Sequence, residues 1–590
     1  MTGAALVDGS DATTGEPGDW SRMTETLGRR IEGRERWVEA FLYVSALIVG
    51  WWVRFAQDDA FITFRFARNL ARGHGLVFNP GERVEGYTNF LWTWIMVIPE
   101  KLGWNTPIFA QVLSLVFMVA TVAVFLRFAD RVLGNHRMAL VAGFALVANM
   151  TFLGYATGGL ETMMQTFFIM GVAALLVPVR GGGADEHLVA RRLVAGLLGG
   201  LAILTRLDST VLVAAWFCVH LWPVIRDRTD GRASRMLVGV VTLGGPVLLV
   251  VVPWLVWKYD YYGSIVPNTF YAKSASNPLI PFLYGVIYLL SFFASYFAFV
   301  FIRRYRRLGT GFFALPGTKA AFAVVPVWFL YICVVGGDFM EFRFIVPVIP
   351  VLALLAGYLI DHYRRPIRHT LLIALLLFVS LLHRVLPGAT FPVLTFTDIN
   401  HWPNESQTTW FAMGKLLGST FPGGIDAAGQ PSIALQPLGV ISYFSDLPAV
   451  DMLGLTDKWV ARNGDPIPIY YPGHVRMAPV HYLVDRKVNL VIGEPLVNDV
   501  VPGRTSYLLS DLVTLWSVAD LRQLPDTAKV IEVPLAGNKV WTVLYLTPND
   551  KVDAAIEKNG WATFPIEKRC DTSDFGWLLR TASKKTCSTG

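Results

Sequence analysis

Apolar runs of bilayer length recur along this chain, and the loops between them alternate between strongly basic and basic-poor. A spanning helix needs ~20 mainly apolar residues, and Lys and Arg collect in the cytoplasmic loops. The pattern therefore predicts a polytopic α-helical membrane protein with about eleven spans. Basic loops at 127–137, 180–192, 226–235, 303–307 and 364–368 are expected in the cytoplasm. Loops at 57–87, 155–161, 205–209, 259–277 and 336–343 then face outward. Of the 590 residues 53% are hydrophobic and 16% charged, too apolar for an ordinary soluble enzyme. The excess of 51 Lys+Arg over 44 Asp+Glu is spread over short loops, not gathered on one soluble face, so it reports topology and no nucleic-acid partner.

Residues 1–36 are Gly- and Thr-rich, then basic, and read as a disordered cytoplasmic start without a cleavable signal peptide. The first span is expected over 38–55. Residues 87–102 would invert every later loop if they crossed, so they are assigned to a re-entrant or juxtamembrane helix. At 205–208 two short apolar helices meet at a polar break, which is tolerated at membrane depth where it lines a cavity. The transmembrane domain spans 37–390. Turn-rich sequence then opens a soluble mixed α/β domain over 391–590, with strands near 487–492 and 539–546 and a helix near 508–521. Cys570 and Cys587 fall in its tail, and a disulfide between them is as well supported as two free thiols.

The outward loops hold the chemistry. Asp58 and Asp59 follow the first span directly; their bland reading is a pair of solvated helix-end acids, their functional one a carboxylate facing a polar cavity. Residues 60–72 are amphipathic, with Arg65, Arg68 and Arg72 suiting anionic lipid headgroups. His74, Tyr87 and Asn89 line the same loop. Glu161 opens a helix, where it either serves the helix dipole or lines a site. Arg206 and Asp208 form either a mutual ion pair or a phosphate contact. Asn268 and Lys273 stand among aromatics that stack on sugars or anchor helices. Asp338, Glu341 and Arg343 form a mixed cluster. A transporter would place such charges near the midplane. Here they gather at one face, which favours an enzyme acting on a lipid-borne substrate over a lipid-sugar flippase or an assembly scaffold.

The strings DDAFITFRFARNLARGHGLVFNPGERVEGYTNFLW, GLET, LTRLD, VPNTFYAK, GGDFMEFRF and DMLGLTD resemble the mycobacterial AftB-like β-(1→2) arabinofuranosyltransferases, within the GT-C class of polyprenyl-phosphate-sugar-dependent glycosyltransferases. The likeness covers nearly all of the chain after residue 36, and the first string is the specific one. It implies a plasma-membrane enzyme that takes arabinofuranose from decaprenyl-phosphoryl-arabinofuranose and caps the arabinan acceptor of arabinogalactan and lipoarabinomannan, with active site and soluble domain in the periplasm. Asp58 or Asp59 is the implied catalytic acid. Donor and product are both β-linked, so the implied course is retaining, by a nucleophile with a base or by front-face attack. Arg65, Arg68, Arg206, Lys273 and Arg343 are candidates for the donor phosphate. His74, Tyr87, Asn89, Glu161, Asp208, Asn268, Asp338 and Glu341 are candidates for lining the site. Some members of the class bind a divalent cation, for which Asp58, Asp59, Glu161 and Asp338 are candidate ligands without diagnostic spacing. The soluble domain is the expected acceptor-binding part. Mannose donors share the lipid phosphate, so only the family likeness supplies arabinose.

Overall fold

Backbone amides have no water to bond in a bilayer, so apolar runs of this kind cross it as helices. The computed structural model describes residues 19–569, apart from 178–185, 275–276, 297–301, 316, 363–365, 386–392, 397–398, 400–408, 513–515 and 517–519. Helices follow in the order α1 (Asp19–Trp52), α2 (Asp58–Ala71), α3 (Phe90–Leu102), α4 (Thr106–Leu133), α5 (His136–Val147), α6 (Met150–Gly154), α7 (Thr162–Leu176) and α8 (Leu188–Thr205). After them come α9 (Ser209–Arg226), α10 (Arg232–Tyr262), α11 (Asn268–Lys273), α12 (Leu279–Ser295), α13 (Ile302–Ala314), α14 (Thr318–Val335), α15 (Ile349–Asp361) and α16 (Pro366–Val385). Among the described residues six of these segments are long and apolar enough to cross, and parts of four shorter ones are apolar as well. The six are α4, α8, α9, α10, α14 and the segment Arg343–Asp361 that ends in α15. Lipid-facing side chains such as Leu248, Leu249 and Val256 are exposed, as a bilayer requires. The chain is a multi-pass membrane protein.

Two expectations change. Residues 19–36, read as disordered, already belong to α1; helix once nucleated by the apolar segment propagates through the polar residues before it. The segment 508–521, read as a helix, starts with a two-residue strand and a 3₁₀ turn at Leu509–Leu512, and Asp511 accepts from the Leu508 amide at 2.9 Å. The side chain thus competes locally with helix formation. Residues 1–18 and the pair Cys570 and Cys587 lie outside the described residues.

The 13-residue α3 has both ends at one end of the bundle. At its start Asn89 donates to Glu161 at 2.7 Å, and in its last turn Glu100 accepts from Tyr443 of the soluble domain at 2.6 Å. It therefore does not cross, in keeping with the re-entrant or juxtamembrane reading. The five loops expected to share a face do share one: Gln57 bonds Gly158 through the backbone, Arg206 reaches Glu161, Asn268 bonds Glu85 through the backbone, and Arg343 approaches Asp59.

On that end sits the soluble domain. Its strands are β1 (Ile433–Leu435), β2 (Ala449–Asp451), β3 (Asp465–Tyr471), β4 (His474–Met477), β5 (Leu490–Asp499), β6 (Tyr507–Leu508), β7 (Lys529–Pro534), β8 (Lys539–Tyr545) and β9 (Ala562–Glu567). Seven form one mixed sheet in the order β2-β1-β5-β8-β7-β9-β6, while β3 and β4 make a separate hairpin. The β2-β1-β5 edge is parallel, and β5-β8-β7-β9 is antiparallel. Where they pair in parallel, Ile433–Leu435, Ala449–Val450 and Leu490–Ile492 are apolar and buried, as a parallel sheet demands.

Candidate active site at the domain interface

The helix α2 is the floor on which the soluble domain stands. Nine of its residues, Ala60 to Ala67 and Asn69, are buried, so it does not lie along a lipid surface. Its arginines face protein carbonyls. Arg65, 1% exposed, donates to the Phe78, Ser442 and Leu447 carbonyls at 3.0, 2.6 and 2.7 Å and to Asn79 at 3.2 Å. Arg68 pairs with Glu100 at 3.2 Å, donates to the Tyr443 carbonyl at 2.6 Å and lies over that residue's ring. Arg72 pairs with Asp446 at 2.6 Å. Four of the five N–H donors of Arg65 are thereby occupied, and neither Arg65 nor Arg68 lines the cavity described below. Amphipathic spacing could not tell a lipid headgroup from a domain's carbonyls. Replacing Arg65 with Met leaves the Ser442 and Leu447 carbonyls buried and unpaired and is expected to cost about 3 kcal/mol. A lowered unfolding temperature in detergent with unchanged donor KM would show it; a raised donor KM at unchanged stability would return Arg65 to the phosphate.

Asp58 and Asp59 separate at the start of α2. The Asp58 carboxylate accepts the Gly439 and Val440 amides at 2.9 and 2.7 Å, and so caps the helix Gly439–Ser445 of the soluble domain. Only glycine fits at 439, since a Cβ there would overlap the Asp58 carbonyl. Burial pushes the Asp58 carboxyl up to about 7, against the two amide hydrogen bonds that lower it. Its raised value sets the sign of a pH effect. The docked state holds its proton more tightly than an undocked one, so this contribution is present below about pH 4 and is lost as pH rises to about 7, by at most ~1.4 kcal/mol per unit. Amide exchange in 439–445, corrected for its intrinsic rate, should therefore speed up from pH 5 to pH 7, and the pH dependence should vanish in Asp58→Asn.

Asp59 keeps 31% of its side chain accessible and stands 4.0 Å from Arg343 Nη1. It faces a cavity of about 330 Å³ between the two domains. The cavity is lined from the membrane domain by Gln57, Asp58, Asp59, Ile62, Lys273, Phe339 and Met340, and from the soluble domain by Trp410, Gln436, Leu438, Leu455, His474 and Glu494, among others. Lys273, at the end of α11, is open to the cavity although protein surrounds it, and that enclosure lowers its ammonium below the usual lysine value. It makes no ion pair or hydrogen bond among the described residues. Arg343 pairs with Asp338 at 2.8 Å, which leaves its outer edge toward Asp59.

The remaining candidates are structural. Arg206 sits between Glu161 at 2.8 Å and Asp208 at 2.6 Å, the ion-pair alternative; Gln165 and Asn89 extend the network. His74 pairs with Asp426 at 2.8 Å on the domain surface. Tyr87 is buried against the Tyr262 hydroxyl at 3.2 Å. Asn268 donates to the carbonyls of Gly454, Leu455 and Asp457, so the 451–457 loop is a docking turn. Glu341, 0% exposed, accepts the Phe396 amide at 3.0 Å. None of these lines the cavity. A divalent cation finds no ligand set here: Glu161 and Asp338 are held by arginines and Asp58 by amides, and no three ligating side chains converge among the described residues.

Glu494 and His474 were not singled out by the sequence. Glu494 follows the buried run 490–493 within β5, and a charge interrupting an apolar run was the available signal. His474 sits in a turn beside Phe339, with ring centroids 5.1 Å apart, and burial lowers its imidazole value.

Bundle, interfacial helix and appended domain together share the fold of ArnT from Cupriavidus metallidurans. The structure of that protein bound to undecaprenyl phosphate superposes with TM-score 0.52 at 17% identity, covering 85% of this chain and 97% of that one. This is a GT-C fold on a multi-pass membrane protein. In sequence the chain is similar to the terminal β-(1→2)-arabinofuranosyltransferases of Mycobacterium tuberculosis, 30% identical over 287 residues, and Corynebacterium glutamicum, 27% identical over 346. These alignments cover 44% and 53% of this chain, and 42% and 48% of the relatives' own lengths. Residues 398–543 match a domain of unknown function, DUF8728.

Proposed function

We propose that the chain is a membrane glycosyltransferase that moves arabinofuranose from decaprenyl-phosphoryl-arabinofuranose to the ends of cell-wall arabinan in β-(1→2) linkage. The observation that carries the reading is one accessible carboxylate, Asp59, in one cavity with one cation, Lys273, while Arg343 stands 4.0 Å from Asp59 behind the cavity wall. The two named relatives support the sugar and the linkage. The basic loops at the far end of the bundle support an outward-facing cavity in the plasma membrane.

A lipid phosphate leaves already ionised and needs countercharge more than a proton. Lys273 supplies it from the cavity wall, and Arg343, next to Asp59, adds to the positive field. Asp59 takes the proton of the attacking acceptor hydroxyl as the bond to the anomeric carbon forms. Retention at that carbon then requires attack from the side of the leaving group. Asp58 holds the soluble domain against α2 and does not react. An anomer-resolved product assay with this donor and a synthetic arabinan tests the reading: a β-(1→2)-linked arabinofuranose is expected, and absence of transfer or transfer of another sugar would overturn it.

A further inference from the structure

Two adjacent parallel strands of the soluble domain, β1 and β2, end on the cavity, and beside them the parallel part of a third, β5, ends there while the strand itself runs on to Asp499 against β8. β1 runs into Gln436 and Leu438, β2 into Leu453 and Leu455, and β5, past Gly493 where it leaves the β1 register, into Glu494. The crevice outside the carboxyl ends of parallel strands is where open α/β sheets bind ligands, because the loops leaving them diverge there. Here that crevice is closed on its far side by Asp59 and Lys273 of the membrane domain. Glu494 is the first charged residue after a buried run, it is exposed to the cavity, and its carboxylate makes no hydrogen bond or ion pair among the described residues.

We propose that this strand-end edge is the acceptor subsite and that Glu494 positions the acceptor, its carboxylate accepting a hydrogen bond from a hydroxyl of the terminal sugar. The inference rests on the reading of the chain as a glycosyltransferase. It divides the cavity between domains: Lys273 and Asp59 from the membrane part meet the lipid-borne donor, and a carboxylate from the soluble part meets the polyhydroxylated acceptor. A carboxylate suits this second task because it only accepts, and each sugar hydroxyl carries one O–H that can rotate to donate to it. Burial, and then the charge of Asp58, push the Glu494 carboxyl up to about 7, as befits a group left without a donor until a hydroxyl arrives.

The test separates acceptor from donor. For full-length wild type and Glu494→Gln, the KM for a synthetic arabinofuranose oligosaccharide, the KM for decaprenyl-phosphoryl-arabinofuranose, and the slow hydrolysis of that donor without acceptor are measured. The acceptor KM should rise about tenfold in the variant, the loss expected when a charged hydrogen bond becomes a neutral one. Donor KM and donor hydrolysis should stay within twofold, which also shows that the variant is folded. An unchanged acceptor KM in a wild type that transfers arabinose overturns this inference alone, as does an equal loss in donor hydrolysis. A wild type that neither transfers nor hydrolyses the donor overturns the glycosyltransferase reading and this inference with it.

Discussion

Asp59→Asn is expected to lower arabinose transfer by about 10²- to 10⁴-fold, the range for removing a positioned general base. Donor KM should change little, because asparagine keeps the shape and Lys273 still faces the phosphate. Asp58→Asn should behave differently. It retains one oxygen to accept from an amide but turns its NH₂ toward the other, at Gly439 or Val440, a loss of about 1–3 kcal/mol in docking. Transfer should persist at a reduced level, with faster amide exchange in the helix Gly439–Ser445. The reverse outcome, an inactive Asp58 variant with intact exchange and an active Asp59 variant, would exchange the two roles.

Lys273→Met should reduce kcat/KM for the donor by about 10²- to 10³-fold, in the range measured when one preorganised donor to a developing anion is removed. Methionine fills nearly the same volume, and no carboxylate is orphaned, since Lys273 holds no ion pair among the described residues. Inhibition by free decaprenyl phosphate should weaken in parallel, because it offers the same phosphate without the sugar. Unaltered inhibition would remove Lys273 from the phosphate site. Arg206→Met makes the contrast. It strips the counter-charge from Glu161 and Asp208 at once, so it should impair folding before it touches donor binding.

The membrane made much of this architecture legible in the linear sequence. A bilayer permits few spanning forms and sorts loops by charge, so a multi-pass helical bundle, a non-crossing segment at 87–102 and five loops on one face follow from local patterns, and α3 has both its ends on that face. The acid pair after the first span was equally visible. Local patterns could not divide that pair, nor tell Arg65 and Arg68 from phosphate ligands, because their partners Gly439, Ser442, Tyr443 and Leu447 lie hundreds of positions away.

The sequence by itself determined the solvent of each segment, the alternation of the helices and the face on which polar residues collect, since these depend on hydrophobicity and charge summed over short windows. Only the tertiary structure decided which polar groups are spent and which are free. Asp58, Arg65, Arg206 and Asn268 are used up in holding parts together, while Asp59, Lys273 and Glu494 are left open to one cavity. A side chain's chemistry depends on which donors and acceptors already surround it, and that is fixed only when the soluble domain closes on α2.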